Sequence, residues 1–170
     1  MRKPRVLQKG ASYHVTARAN RQELIMDAHG MKLLFLATLQ RAKKRYRFQI
    51  SNFSVLGNHF HLIITPGRDE SLSAIMQWVL SVFAMAYNRK LDLTGHVWGE
   101  RFYSRVIDGL KEMLRAFEYI DENPVRAGLV ARAEQWEYGG LAHHRRGIIG
   151  IVEEAGREIL AALPQHAHPS

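Results

Sequence analysis

The chain has 170 residues, no cysteine, and 24 Lys and Arg against 16 Asp and Glu, which gives a formal charge of +8. Its 46% hydrophobic residues are enough for one buried core, and the lack of cysteine excludes disulfides and thiolate metal sites. The positive charge favours nucleic acid as partner, ahead of anionic lipid, and we expect a soluble cytoplasmic protein because no segment is long and apolar enough to span a membrane.

The hydrophobic pattern predicts an α+β chain whose elements follow the order strand, helix, strand, strand, helix, strand. The predicted elements are strand 12–18, helix 28–46, strands 48–56 and 59–65, helix 71–91 and strand 102–108. Gly57 and Asn58 join two strands as a short hairpin, and both residues tolerate a positive φ. This order is that of a ferredoxin-like βαββαβ sandwich with an antiparallel sheet.

A further helix is predicted at 111–122, which is rich in helix formers and ends against Asn123 and Pro124. A last helix is predicted at 148–163. Its core-facing residues would be Ile148, Ile149, Ile151, Val152, Ile159 and Leu160. We expect residues 1–145 to form a single domain and residues 146–170 to form a C-terminal helix and tail packed on it.

His59 and His61 are the most informative pair in the sequence. They lie on a predicted strand, where residues two apart face the same way, while Phe60 between them points into the core. Two imidazoles on one rigid strand face can converge on a metal ion. The alternative is a pair of half-exposed strand histidines with no ligand.

Tyr119 and Asn123 lie four residues apart on the helix predicted before Pro124 and share one helix face. A phenol that can act as a nucleophile would then lie beside an amide oxygen that can bind magnesium or manganese. The rival nucleophile is Tyr87, which lies on the apolar stripe of the helix 71–91. Leu91, four residues after Tyr87, offers no metal ligand.

Three blocks of the chain, in this order, resemble the REP-associated tyrosine transposases, a branch of the single-tyrosine HUH transposases related to insertion-sequence transposases. The blocks are residues 57–62 (GNHFHL), 95–104 (GHVWGERFYS) and 119–130 (YIDENPVRAGLV). The segments 13–16 (YHVT) and 136–141 (WEYGGL) extend the resemblance over roughly the first 140 residues.

The resemblance implies a ferredoxin-like domain with an appended C-terminal catalytic helix and a metal-dependent DNA transesterase activity. Tyr119 would be the catalytic residue and become joined to a 5′ phosphate, while His59, His61 and Asn123 would hold Mg²⁺ or Mn²⁺. The expected partner is single-stranded DNA folded as REP-like hairpins, in a cytoplasmic, nucleoid-associated location without membrane contact. The resemblance, with the long C-terminal segment, slightly favours a monomer over a homodimer.

Several basic and aromatic side chains are candidates for DNA binding. They are Arg5, Lys43, Lys44, His96, Trp98, Arg101 and Arg126. Trp98 could stack on an unpaired base and Arg101 could hold a phosphate. A core anchor is the alternative for Trp98, and a solvated helix face is the alternative for the basic residues 41–47.

Two other functions remain open at this point. One is a module of the same fold that binds hairpin DNA or RNA without cleaving it. The other is a metal-dependent phosphodiesterase that uses water, in which Tyr119 is structural.

Overall fold

The computed structural model describes residues 8–163 and contains a four-stranded antiparallel sheet with the strand order β2-β3-β1-β4. Helices α1 and α2 connect the strands, so the predicted βαββαβ order and fold class are confirmed. The elements are β1 (Ser12–Arg18), α1 (His29–Arg45), β2 (Phe48–Val55), β3 (His59–Pro66), α2 (Leu72–Leu91), β4 (Tyr103–Ile107), α3 (Gly109–Arg126), α4 (Gly140–Arg145) and α5 (Glu154–Ala162).

One face of the sheet packs against α1 and α2 and forms the larger part of the core. Phe60, fully buried on β3, lies 4.5 Å from Phe35 of α1 between ring centroids. The Trp98 ring lies 5.5 Å from both Phe60 and Phe83 of α2. These aromatic contacts join the two helices to the central strand by burying large apolar surfaces.

Helix α3 and the C-terminal segment cover the opposite face. Phe117 and Ile120 of α3 are fully buried. The side chain of Asn52, on the irregular part of β2 where the register shifts, donates to Asp121 Oδ1 at 2.9 Å. Its own amide oxygen accepts from Phe53 N, so this buried side chain ties α3 to the sheet.

The predicted end of the third helix at Asn123 is wrong, because α3 continues through Pro124 to Arg126. Pro124 lies in the last turn, where its missing N–H removes a single helical hydrogen bond, and its ring is buried. The helix ends before Gly128, whose φ of 74° is a left-handed conformation that favours glycine. Asn123 is therefore helical and stands one full turn after Tyr119.

The predicted last helix is also wrong at its start, since α5 begins only at Glu154. Gly147 and Gly150 adopt φ values of 66° and 110°, which interrupt a helix, and leave Ile148 and Ile149 exposed. The remaining apolar positions pack as expected. Ile151, Val152 and Leu160 are buried, and Ile159 packs partly against the core. The division into residues 1–145 and 146–170 stays a prediction.

Gly57 and Asn58, which tolerate a positive φ, do not adopt one in the turn between β2 and β3. A Cβ at position 57 would lie 3.1 Å from side-chain atoms of Leu24 and Asp27, so a larger residue there would require these exposed side chains to shift. None of the helices within residues 8–163 is long and apolar enough to cross a membrane.

Candidate active site

Three histidines cluster on the sheet face that α3 covers. His59 and His61 face the same way because strand residues alternate, and their ring centroids are 5.0 Å apart. The neighbouring strand β1, which pairs Thr16 with His61, contributes His14. The ring of His14 lies 5.2 Å from that of His61, and its Nε2 is 3.0 Å from His61 Nδ1.

Burial keeps all three imidazoles neutral. Desolvation, with His59 as a neighbour, lowers the pKa of His61 to about 3. Desolvation also lowers the pKa of His14 and of His59 to about 4, with smaller contributions from Arg105 and Arg18 respectively. Neutral imidazoles carry the free lone pair that metal coordination requires.

The ring nitrogens of His59 and His61 have different partners, and both arrangements suit a metal ion. His59 Nδ1 lies 2.7 Å from Asn58 Oδ1, which can only accept, so Nδ1 carries the hydrogen and the lone pair remains on Nε2. His61 Nε2 is buried and has no hydrogen-bond partner within residues 8–163. A buried nitrogen without a partner on a functional face fits an absent ligand.

Tyr119 is brought to this cluster by α3. Its ring centroid lies 5.5 Å from that of His61 and 5.8 Å from that of His14, edge-on to both. The side chain is 43% exposed, so a substrate can reach it. The guanidinium of Arg126 lies 4.8 Å from the Tyr119 ring centroid, and its Nη2 donates to Tyr119 O at 3.1 Å.

The rival Tyr87 lies elsewhere. It is on α2, where its ring stacks on that of Phe83 at 6.0 Å, and α2 packs on the sheet face that carries Phe60. The sheet therefore separates Tyr87 from the two histidines of β3. This placement favours Tyr119 as the nucleophile.

A groove opens beside the histidines, with a volume of about 460 Å³. Its lining residues include Arg18, whose strand partner is His59, and Arg101, Arg21 and Glu100. The short 3-10 turn at Asn20–Gln22 forms one wall, and Arg21 and Gln22 in it both have a φ of 55°. Only a small fraction of non-glycine residues adopt this conformation, and strained backbone positions tend to cluster at functional sites. The groove carries three arginines against one glutamate, which suits a phosphate backbone.

The other predicted DNA-binding residues are spread over the molecule. Arg101 lines the groove, and His96 is exposed on the same loop. Lys44 is exposed on α1, which packs on the opposite face of the sheet, and Arg5 lies outside the described residues. The role of these residues in DNA binding stays a prediction.

Two of the predicted DNA-binding residues, Lys43 and Trp98, already have partners within the chain. Lys43 donates to Ile151 O at 2.6 Å and forms an ion pair with Glu153, so its ammonium holds the C-terminal segment and is not free to bind phosphate. Trp98 packs among core aromatic rings, and its Nε1 donates to Leu80 O at 3.0 Å. The core-anchor alternative for Trp98 therefore accounts for its position.

Within the part of the chain that the structure describes, no group of three or more His, Cys, Asp or Glu could hold a metal ion. A metal held by His59 and His61 therefore needs an oxygen ligand of another type, and the amide of Asn123 is such a group. Asn123 is partly buried, four residues after Tyr119 on α3.

Sequence reasoning missed His14, Asn58 and Arg18 as members of this site. Alternation along β1 places His14 and Arg18 on one face, so a signal was present. That face becomes part of the site only through the pairing of β1 with β3, which a strand-by-strand interpretation does not reveal.

Comparisons with known proteins show the family to which the chain belongs. Residues 8–123 match the family model described as "Transposase IS200 like". A REP-associated tyrosine transposase of Escherichia coli (strain K12) is 26% identical over 133 residues, which cover 76% of each chain. The chain belongs to the IS200-like transposase family, a class of tyrosine transposases.

A solved structure described as a REP-associated tyrosine transposase bound to a REP hairpin has the same fold. It superposes with a TM-score of 0.74 at 20% identity, covering 91% of this chain and 93% of the other. The resemblance to REP-associated tyrosine transposases is thereby confirmed.

Proposed function

We propose that the protein is a metal-dependent transesterase that cleaves and rejoins hairpin-containing single-stranded DNA, with Tyr119 as its nucleophile. The observation that carries this proposal is the position of a half-exposed tyrosine ring 5.5 Å from a buried, neutral histidine with a free nitrogen. Family membership supports the proposed reaction class, and in this proposal Tyr119 would act as the nucleophile beside two metal-binding histidines.

Hairpin DNA is the proposed substrate on two grounds. The related solved structure is described as bound to a REP hairpin. In this chain, the net charge of +8 and the arginine-lined groove beside the histidines provide attraction for a phosphate backbone. An unpaired strand leaving the hairpin could follow that groove to Tyr119.

His59 Nε2, His61 Nε2 and the amide oxygen of Asn123 are the atoms that would hold Mg²⁺ or Mn²⁺. When bound, the ion would supply positive charge that offsets the charge developing on the phosphate oxygens. Two observations support these residues as metal ligands. Asn58 fixes the tautomer of His59 that leaves Nε2 free, and Nε2 of His61 has no hydrogen-bond partner within residues 8–163.

Tyr119 would perform the covalent step. Its Oη forms a bond to phosphorus while the bond from phosphorus to the 3′ oxygen breaks, the phenol loses its proton, and the 3′ oxygen gains one. The product is a 5′-phosphotyrosine with a free 3′ hydroxyl, a linkage that another 3′ hydroxyl can reverse. The guanidinium of Arg126, 4.8 Å from the Tyr119 ring centroid, would hold the ring in place by a cation–π contact.

All of these residues come from one chain. Because Tyr119 of α3 reaches His61 of its own sheet, the active site needs no residue from a second copy. We therefore propose a monomer that acts in cis.

The test is incubation of wild type, Tyr119→Phe and Tyr87→Phe with a labelled single-stranded hairpin and Mn²⁺, followed by denaturing electrophoresis. We expect a protein-linked label with wild type and with Tyr87→Phe, and none with Tyr119→Phe. The substitution removes one oxygen and little packing, so hairpin binding by Tyr119→Phe should match wild type. An adduct formed by Tyr119→Phe would overturn the assignment of the nucleophile. Binding with no adduct from any variant would instead indicate a module that binds without cleaving.

A further inference from the structure

His14 is a partly buried titratable residue that the proposed function does not use. It lies on β1, one strand away from the two proposed metal-binding histidines, and its Nε2 is 3.0 Å from His61 Nδ1. Its ring also lies edge-on to that of Tyr119, at 5.8 Å between centroids. His14 therefore contacts both a proposed metal ligand and the proposed nucleophile.

The contact between the two imidazoles allows two hydrogen-bond directions, which differ in consequence. If His14 Nε2 donates, His61 accepts at Nδ1, and its hydrogen must sit on Nε2. That hydrogen would point into a buried space that offers no acceptor within residues 8–163. If His61 Nδ1 donates instead, Nε2 keeps its lone pair and is ready to bind a cation.

Ligating histidines nearly always donate their other ring N–H to an outer acceptor, which fixes the tautomer and the ring orientation. For His59 this acceptor is the amide oxygen of Asn58 at 2.7 Å. For His61 the corresponding position is occupied by His14, so each proposed ligand has one outer partner in the same role. The two partners come from different elements, the β2–β3 turn and β1.

We propose that His14 is a positioning residue that accepts a hydrogen bond from His61 Nδ1 and thereby presents His61 Nε2 to a divalent cation. This inference rests on the metal site of the proposed function. It assigns His14 a role through His61 rather than direct contact with the metal ion. His14 also packs against the Tyr119 ring, between α3 and the sheet. In this proposal, one side chain therefore orients His61 and helps to set the distance between His61 and Tyr119.

Two substitutions separate hydrogen bonding from packing. His14→Phe keeps a ring of similar size but removes the acceptor. His14→Gln carries an amide oxygen about as far from the backbone as imidazole Nε2, so it can accept from His61 again. His59→Ala is the reference for loss of a ligand.

The first readout is the dissociation constant for Mn²⁺ alone, measured by loss of the free-ion electron paramagnetic resonance signal. We expect His14→Phe to weaken Mn²⁺ binding by about 10- to 100-fold, the usual effect of losing an outer partner, and His14→Gln to restore most of it. Hairpin binding in EDTA should be the same for wild type and both variants. Wild-type affinity in His14→Phe, or equal losses in both variants, would contradict the proposal.

The second readout needs neither metal nor substitution. Long-range ¹H–¹⁵N correlation spectra of the metal-free wild type report which ring nitrogen of His61 carries hydrogen, and we expect Nδ1. The opposite tautomer would refute the role of His14, whether or not His14→Phe folds. If wild-type protein binds no Mn²⁺ while His61 shows the expected tautomer, the metal site of the proposed function fails, and the proposed role of His14 fails with it.

Discussion

The two faces of the sheet are built from the same strands and differ in almost every other property. On β3, Phe60, Leu62 and Ile64 point toward α1 and α2 and are buried among apolar side chains. His59 and His61 point the other way, toward α3, where they are also buried, and Nε2 of His61 has no hydrogen-bond partner within residues 8–163. Dense apolar packing and unsatisfied polar groups are hard to combine in one environment. Because neighbouring residues of β3 face opposite sides of the sheet, the strand places the two on different faces.

This difference indicates where stability and chemistry reside. The apolar face contributes to the free energy of folding through burial, whereas on the polar face this contribution is partly offset by buried polar atoms that have no partner within residues 8–163, such as Thr16 Oγ1 and His61 Nε2. Substitutions at neighbouring positions of β3 should therefore separate stability from activity.

Phe60→Ala tests the apolar face and should have the largest effect. The side chain is fully buried between α1 and Trp98, so its loss should lower the free energy of unfolding by about 3–5 kcal/mol. Urea denaturation measures this change. Thr16→Val on the opposite face is the control, because the Thr16 hydroxyl is buried without a partner, and stability should stay equal or rise slightly. A greater loss for Thr16→Val than for Phe60→Ala would contradict the division between faces.

His61→Ala tests the polar face. Removal of a proposed metal ligand should reduce Mn²⁺-dependent adduct formation by more than about 100-fold, since loss of an outer partner alone typically costs 10- to 100-fold. The free energy of unfolding should change less than in Phe60→Ala, because the lost side chain contains an unpartnered buried nitrogen. Single-turnover cleavage and urea denaturation provide the two values. Near-normal cleavage by this variant would exclude His61 as a ligand.

Acidification should destabilise the protein through the polar face, because the three histidines that bind protons lie on that face. The folded chain holds the pKa of His14, His59 and His61 at about 3 to 4, against an ordinary value of 6.5, so the unfolded chain binds more protons at intermediate pH. The free energy of unfolding should be highest above pH 6.5 and fall as pH drops toward 4, with a slope of up to about 1.4 kcal/mol per pH unit for each additional proton bound by the unfolded chain. Urea denaturation in EDTA at several pH values measures the slope. His59→Gln should show a shallower slope, and an unchanged slope would mean that His59 is not held neutral.

Arg101→Ala and Lys43→Ala form the pair with the smallest expected effect. Arg101 lines the groove on the active-site side, whereas Lys43 is paired with Glu153. Loss of one phosphate contact should reduce the slope of log affinity against log salt by about 1 for Arg101→Ala. Lys43→Ala should leave that slope unchanged and lower the melting temperature. Fluorescence anisotropy with a labelled hairpin at several salt concentrations provides the comparison, and equal slopes for both variants would argue against the groove as a DNA path.

Much of the fold follows from local patterns, because strand alternation and helical periodicity decide which residues are buried. The same alternation correctly placed His59 and His61 together and Phe60 opposite them. Helix ends were harder to predict. Helix α3 continues past Pro124, whose ring is buried, and α5 begins later than predicted because the preceding glycines adopt positive φ. Hydrophobic periodicity reveals neither effect. His14 belongs to the site because β1 pairs with β3, a strand that is distant in the sequence. Lys43 forms an ion pair with Glu153, 110 residues away, and periodicity could not predict this contact either.

The outer edge of β2 is covered by the chain that follows α3. Val55 N donates to Tyr138 O at 2.9 Å, Glu153 N donates to Ile50 O at 3.0 Å, and Gly139 bridges to Ser54. A side chain at Gly140 would collide with Asn52, so this segment fits closely. An uncovered edge strand is a template for aggregation. Truncation of the chain after α3 would therefore expose the edge of β2 and promote aggregation through it, even if every active-site residue remained in place.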